Sequence, residues 1–130
     1  PDSWTHRSGR GSGIPGTLWG GSQGYATFTP PTKKRVTGIK IQINVRKKQG
    51  SYHGDAGRFG VSASNASYPG TQWYANDRSG VQYNGQETRP EWLDCNIPAG
   101  APIYVWGSKG SDRGDGVSID SIQIIAIRYG

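Results

Sequence analysis

The sequence lacks the residues that cross-link a small domain. Its single cysteine, Cys95, can form neither an internal disulfide nor a zinc cluster with other thiols. Methionine is absent as well. Acidic residues are scarce, with 9 Asp and Glu against 15 Lys and Arg, and no apolar stretch is long enough to span a bilayer. We therefore predict a basic, single domain over residues 1–130 that depends on its own hydrophobic core and does not insert into a membrane.

Alternation of apolar and polar residues is the main structural signal. Within the stretch from Val36 to Arg46, the apolar residues Ile39, Ile41, Ile43 and Val45 alternate with polar residues, which is the period of a half-buried strand. Weaker strands are predicted at 25–29, 59–63 and 72–75, whereas the glycine-rich residues 1–24 favour loops crossed by at most a short strand. No segment sustains a helical period, so the predicted class is all-β.

The segments on either side of the turn at 98–102 carry the candidate site. Leu93, Cys95 and Ile97 share one face of the first strand, and apolar residues alternate again from Ile103. We predict that the two strands pair as a hairpin with Ile97 opposite Ile103. One outer sheet face would then carry Trp92, Asp94, Asn96, Tyr104 and Trp106.

The alternation slips within the last strand, between Val117 and Ile127, which indicates a bulge or burial on both faces. Short strands with frequent turns favour an antiparallel β-sandwich, here predicted as the jelly-roll type. The residues assigned to its core are Ile39, Ile41, Ile43, Val45, Leu93, Cys95, Ile97, Ile103, Val105, Ile122 and Ile124.

The predicted outer face has the composition of a sugar-binding surface. Sugar rings have apolar C–H faces and polar rims, so an open site needs flat aromatic rings with short polar groups beside them. Trp92 and Trp106 would stack on the sugar, while Tyr104, Asp94 and Asn96 would orient it. The alternative is that these rings pack under a loop and fill a second core.

Two further features are candidate binding elements. Trp73 and Tyr74 are adjacent rings on one predicted strand, so they point in opposite directions and one is expected to be exposed. Asp112, Asp115 and Asp120 are spaced closely enough to form a calcium loop, although a plain glycine-rich turn explains the same residues. Neither paired carboxyl groups nor a nucleophile motif is evident, so we predict a protein that is not an enzyme and requires no cofactor, with structural calcium as an option.

The last third of the chain resembles secreted β-sandwich carbohydrate-binding modules. The resemblance rests on the turn Ile97-Pro98-Ala99-Gly100, the strand at 103–106, a glycine-rich loop and the closing strand at 118–124. It implies a secreted module that binds polysaccharide, is excised from or fused to a polysaccharide-degrading catalytic domain, and often carries calcium. The absence of an export signal at the start is then expected, because such a signal is removed or lies in a longer parent chain.

Jacalin-type lectins provide a second resemblance. The Trp19-Gly20-Gly21 segment and the Gly116 to Asp120 loop are similar to the two pieces that grip a monosaccharide in that family. This resemblance implies binding to cell-surface glycans, but no second or third copy of either element is evident. The positive charge leaves a third alternative, a basic domain that binds acidic polysaccharide or single-stranded nucleic acid, of which we favour the polysaccharide.

Overall fold

The computed structural model describes residues 3–8, 14–49, 56–76, 83–109 and 116–130, and within these ranges it contains strands and turns but no helix. The all-β prediction is confirmed, and no helix able to cross a membrane occurs in the described ranges. The strands are β1 (Ser3–Ser8), β2 (Gly16–Trp19), β3 (Gln23–Phe28), β4 (Val36–Gln49), β5 (Arg58–Ser62), β6 (Trp73–Tyr74), β7 (Tyr83–Thr88), β8 (Leu93–Ile97), β9 (Ile103–Ser108) and β10 (Gly116–Tyr129).

The strands form two antiparallel sheets packed face to face. Sheet A has the order β1-β3-β9-β5-β6, and sheet B has the order β2-β10-β4-β7. In sheet B, β8 and β7 share one edge of the long strand β4, because β8 pairs with residues 36–39 and β7 with residues 42–48. The predicted β-sandwich is confirmed, and its jelly-roll variant stays a prediction.

The core lies between the sheets and follows the alternation in the sequence. On β4 the side chains of Ile39, Ile41 and Ile43 are fully buried, as are those of Ile103 and Val105 on β9. Val45, Leu93, Ile97 and Ile122 are also buried, whereas Cys95 and Ile124 are half-buried against the margin of the core. Core residues that the sequence analysis did not assign include Leu18, Phe59, Val117 and Ile119.

The slip in β10 coincides with irregular pairing, which favours the first of the two predicted explanations, a bulge. Its pairing with β4 shifts register at four places, one of them between Ile124 and Ala126. The extra residue there is Ile125, whose side chain is 47% exposed. On the opposite edge of β10, β2 covers only Gly116 to Ile119, so among the described residues no strand pairs with the rest of that edge.

The predicted hairpin is wrong, because β8 and β9 lie in different sheets. β8 pairs with β4 in sheet B, whereas β9 pairs with β3 and β5 in sheet A. Residues 98–102 therefore cross from one sheet to the other. Leu93 and Ile103 still face the same core, but they enter it from opposite sides, and an alternating pattern satisfies this arrangement as well as it satisfies a hairpin.

Candidate functional site

The five residues predicted to share one face are divided between the two outer faces of the sandwich. Trp92, Asp94 and Asn96 lie on the outer face of sheet B, because Leu93 and Ile97 point into the core. Tyr104 and Trp106 lie on the outer face of sheet A, opposite to the core residues Ile103 and Val105. The predicted joint platform therefore does not exist, and each face has to be considered separately.

Trp106 is part of a second, smaller core on sheet A. Its side chain is 1% exposed, and its indole Nε1 donates a hydrogen bond of 3.0 Å to the carbonyl oxygen of Ser64. The ring centroid of Tyr25 lies 4.9 Å away, and that of Tyr68 lies 6.2 Å away. The prediction that Trp106 is an open stacking platform is wrong, and the alternative of rings packed under a loop describes it correctly.

The segment from 63 to 72, here called the roof loop, covers this aromatic cluster. It crosses so close to β5 that a Cβ on Gly60 would collide with the carbonyl oxygen of Gly70. On the far edge of the sheet, Arg7 of β1 donates a 2.9 Å hydrogen bond to the carbonyl oxygen of Ala66. Tyr104 is half-buried at the margin, with its ring centroid 5.2 Å from that of Tyr25. Sheet A thus has apolar material on both faces.

The outer face of sheet B is polar and carries rows of amide side chains. The register places Asn44 of β4 between Ser121 of β10 and Gln86 of β7. Asn44 Nδ2 donates to Ser121 Oγ at 2.7 Å, and Gln86 Nε2 donates to Asn44 Oδ1 at 3.2 Å. In the next row, Gln42 stands between Gln123 and Thr88, which are both exposed. Amides both donate and accept hydrogen bonds, so these rows suit ligands rich in hydroxyl groups.

Trp92 lies beside the rows of amides, at the edge that β8 adds to sheet B. Its ring is half-buried, with Lys40 Nζ 4.8 Å and Arg128 Cζ 5.2 Å from the ring centroid. Both distances are within the range of cation–π attraction. An aromatic ring, two cations and amide groups are therefore collected on one sheet face.

Arg128 is held in place by three hydrogen bonds. Its Nε donates to Thr37 Oγ1 at 3.0 Å, and its Nη2 donates to the carbonyl oxygen of Thr37 and to Asp94 Oδ1, both at 2.7 Å. Gly38 leaves the space for this guanidinium, because a Cβ there would come within 2.9 Å of Arg128 Cζ. The predicted site residue Asp94 thus orients a cation. Asn96, also predicted, accepts a hydrogen bond from Arg35 Nη1 through Oδ1.

Trp73 and Tyr74 separate as predicted. Trp73 packs against the core, with its ring centroid 5.7 Å from that of Phe59. Tyr74 is 47% exposed, and Arg58 Cζ lies 5.0 Å from its ring centroid. Tyr74 belongs to the strand that ends sheet A, whereas Trp92 lies on the outer face of sheet B.

Of the three aspartates predicted to bind calcium, two, Asp112 and Asp115, lie outside the described residues. Asp120 is exposed and forms an ion pair with Arg46, with 3.3 Å between Nε and Oδ1. In the described ranges no cluster of three or more His, Cys, Asp or Glu residues could hold a metal ion. Of the segments that resemble a jacalin-type site, Trp19 and Gly116 are paired residues of β2 and β10.

Cys95 is a half-buried thiol beside this face. Its Sγ lies 3.8 Å from the carbonyl oxygen of Val36, and burial raises the pKa of the thiol to about 11, while the Arg128 charge opposes that rise. The thiolate, which is the nucleophilic form, is therefore rare at neutral pH.

An apolar cleft of about 430 Å³ opens at the end of the sandwich, between the loop at 29–31 and the last residues of β10. Its walls include Phe28, Ile103 and Ile125. The hydroxyl of Tyr129, which lines the cleft, is buried and has no hydrogen-bond partner in the described part of the chain. Such a lining offers few of the polar contacts that a sugar needs, so the face of sheet B is the stronger candidate.

No family model, curated protein or solved structure matches the chain. The amide rows of sheet B and the cations Lys40 and Arg128 are the parts of the candidate site that the sequence analysis did not assign. The signal of the amide rows is present in the alternation of β4, where Gln42 and Asn44 fall between buried isoleucine and valine residues. The partners Gln86 and Ser121 come from distant segments, so only the strand order could bring them together.

Proposed function

We propose that the protein binds carbohydrate without chemically changing it, through the outer face of sheet B. The observation that carries the proposal is the combination, on one sheet face, of the Trp92 ring with rows of amide and hydroxyl side chains. The amides supply donors and acceptors for sugar hydroxyls, and an indole supplies the apolar surface that the C–H face of a sugar prefers. In this proposal Asp94 and Asn96 act by orienting Arg128 and Arg35.

The face of sheet A is a poor candidate for the same function. Trp106, its largest ring, is sealed under the roof loop, and reaching it would require that loop to lift away together with the bond to Ser64. The cost of exposing a buried aromatic cluster would be subtracted from the affinity for any ligand. The face of sheet B requires no such opening, because Gln123, Thr88 and Gln86 are already exposed.

The proposal includes a non-catalytic role and a place outside the cell, attached to a polysaccharide-degrading enzyme. Two acids of the proposed face are already engaged, since Asp94 pairs with Arg128 and Asp120 pairs with Arg46. An ion-paired carboxylate is a poor general acid, whereas it is a good orienting group. Release of sugars from a panel of polysaccharides, with the intact chain, tests the non-catalytic part.

A panel of soluble and insoluble polysaccharides tests the binding itself, by pull-down and by titration calorimetry. Trp92→Ala should weaken binding by about 5- to 150-fold, taking roughly 1 to 3 kcal/mol for one aromatic stack from the scale of nucleic-acid bases. Tyr74→Ala is the matched control, because it removes another exposed ring, from the edge of sheet A. Its binding should equal that of the parent chain.

The reverse result would place the site on sheet A, at the edge formed by Tyr74 and Arg58. Trp92→Phe keeps an aromatic surface and should retain part of the affinity, which separates loss of stacking from general damage to the edge of sheet B. If the parent chain binds no polysaccharide in the panel, the proposed function is wrong.

A further inference from the structure

The cations around Trp92 outnumber the carboxylates that could neutralise them. Lys40 and Arg128 both lie over the ring, and Arg35 is held by Asn96 at the other end of β8. Among the described residues, Asp94 is the acid that forms an ion pair with this group, with Arg128 at 2.7 Å. Within the described ranges no carboxylate lies at ion-pair distance from the Lys40 ammonium, which lies over the indole ring.

The guanidinium of Arg128 is oriented in advance and keeps one nitrogen available. Its Nε and Nη2 are committed to Thr37 and Asp94, whereas Nη1 makes no hydrogen bond to any described residue. The side chain is 39% exposed, so solvent and ligands can reach it. A fixed guanidinium loses little conformational freedom when it binds an anion, and this favours a directional contact with a carboxylate.

We propose that the ligand of this face is an acidic glycan, a chain of sugar rings that carry carboxylate groups. This inference rests on the proposed function and narrows it to uronate-bearing polymers. A uronate carboxylate projects from the rim of the ring, so when the C–H face approaches Trp92 the carboxylate lies at the edge of the indole, where the two cations are. Lys40 exchanges its contact with the ring for the carboxylate, and in doing so it uncovers the aromatic surface.

The rows of amides make the face suitable for a sugar polymer and not merely for a polyanion. From Lys40 the strand continues through Gln42 and Asn44. Consecutive sugar rings lying along β4 would therefore meet neutral hydrogen-bonding groups beyond the cations at Trp92. A surface that recognised charge alone would have no use for these amides. The inference therefore requires both the carboxylate and the sugar ring.

The test compares matched polymers by titration calorimetry with the intact chain. Polygalacturonate and alginate are the uronate probes, fully methyl-esterified polygalacturonate keeps the rings without the charge, and polyglutamate keeps the charge without the rings. We expect binding to a uronate polymer and much weaker binding to the ester and to polyglutamate. Lys40→Gln should reduce uronate binding by roughly three- to tenfold, the range for one partly exposed charged contact, and leave any binding to the ester unchanged.

Lys47→Gln is the matched control for net charge. Lys47 is exposed on the same strand, about 23 Å from Lys40 at the usual rise per residue, and its replacement should leave affinity as it is. An equal loss of affinity from both substitutions would overturn the assignment of the uronate carboxylate to Lys40, because general electrostatic attraction would then explain the binding.

The remaining outcomes separate this inference from the proposed function. Equal binding of the acid and the ester, with loss in Trp92→Ala, would overturn the acidic ligand and leave carbohydrate binding intact. Binding of polyglutamate or of single-stranded oligothymidylate as tight as that of the uronates would overturn both, in favour of a polyanion site or a nucleic-acid site. Absence of binding to every saccharide would also overturn both.

Discussion

The burial of Trp106 makes a quantitative prediction about stability, and the prediction separates the two outer faces of the sandwich. Replacing Trp106 by alanine removes a ring that is 1% exposed, together with its hydrogen bond to Ser64. Truncation of a buried aromatic residue costs about 3 to 5 kcal/mol. For a chain of 130 residues the entropy of unfolding is about 0.27 kcal/mol per kelvin, so the melting temperature should fall by roughly 11 to 18 °C.

Trp92→Ala is the appropriate comparison, because it removes the same side chain from a half-buried position. Lys40 and Arg128 both lie over that ring, and cation–π contacts at exposed sites contribute about 0.5 to 1 kcal/mol each. Its melting temperature should therefore fall by less than about 8 °C on the same entropy scale. Both variants can be measured by differential scanning calorimetry at the same pH and salt.

Two results would refute this reasoning. A decrease of less than about 4 °C for Trp106→Ala would mean that the roof loop does not seal the ring, because even a modest loss of about 1 kcal/mol shifts the midpoint by that much. A larger decrease for Trp92→Ala than for Trp106→Ala would mean that the structural roles of the two rings are interchanged. Either result would return sheet A to consideration as a binding face.

Two further predictions concern the roof loop and the lone thiol. Gly60→Ala should lower the free energy of unfolding by about 1 to 3 kcal/mol and make Trp106 more accessible to acrylamide quenching, because the added methyl group displaces Gly70. Arg7→Ala removes only an exposed hydrogen bond and should lower the free energy of unfolding by less than about 1 kcal/mol. A larger loss of stability for Arg7→Ala than for Gly60→Ala would contradict the close crossing of the roof loop over β5. The pKa of Cys95 rises from 9.0 to about 11 on folding, so the folded state keeps the thiol proton to a higher pH than the unfolded state does. The contribution of the thiol to the free energy of unfolding is therefore fully present below about pH 9 and is lost as the pH rises towards 11. The difference in unfolding free energy between the parent chain and Cys95→Ala should shrink across that window, and a constant difference would show that the thiol is not desolvated.

The sequence analysis succeeded where one face of a strand is buried and the other is exposed. The alternation along β4 identifies both its core residues and its outward residues, because the polarity of each side chain matches the face on which it lies. It failed for β1 and β7, whose sequences SWTHRS and YNGQET carry little alternation, since both strands lie at sheet edges. A polar edge strand has no periodic signal that distinguishes it from a loop.

The site was harder to predict than the fold, because it depends on which strands are neighbours. The outward direction of Trp92, Asp94 and Asn96 follows from the phase of β8 and was correct. The association of Trp92 with Trp106 required β8 and β9 to pair, and the local pattern is the same whether a chain folds back in one sheet or crosses to the other. Gln86 and Arg128 come from segments far from Trp92 in sequence, and no local pattern links them to it.

The stretch of β10 that pairs with no described strand on its outer edge bears on edge-to-edge association between copies of the chain. A strand edge with free backbone groups and isoleucine side chains is a template onto which another chain can add a strand, and this is a common route to fibrils. Here the shift between Ile124 and Ala126 interrupts the regular spacing of those groups near the middle of the stretch. The irregularity that obscures the pattern in the sequence thus protects the edge, because an incoming strand would find no long, even row of hydrogen-bonding partners.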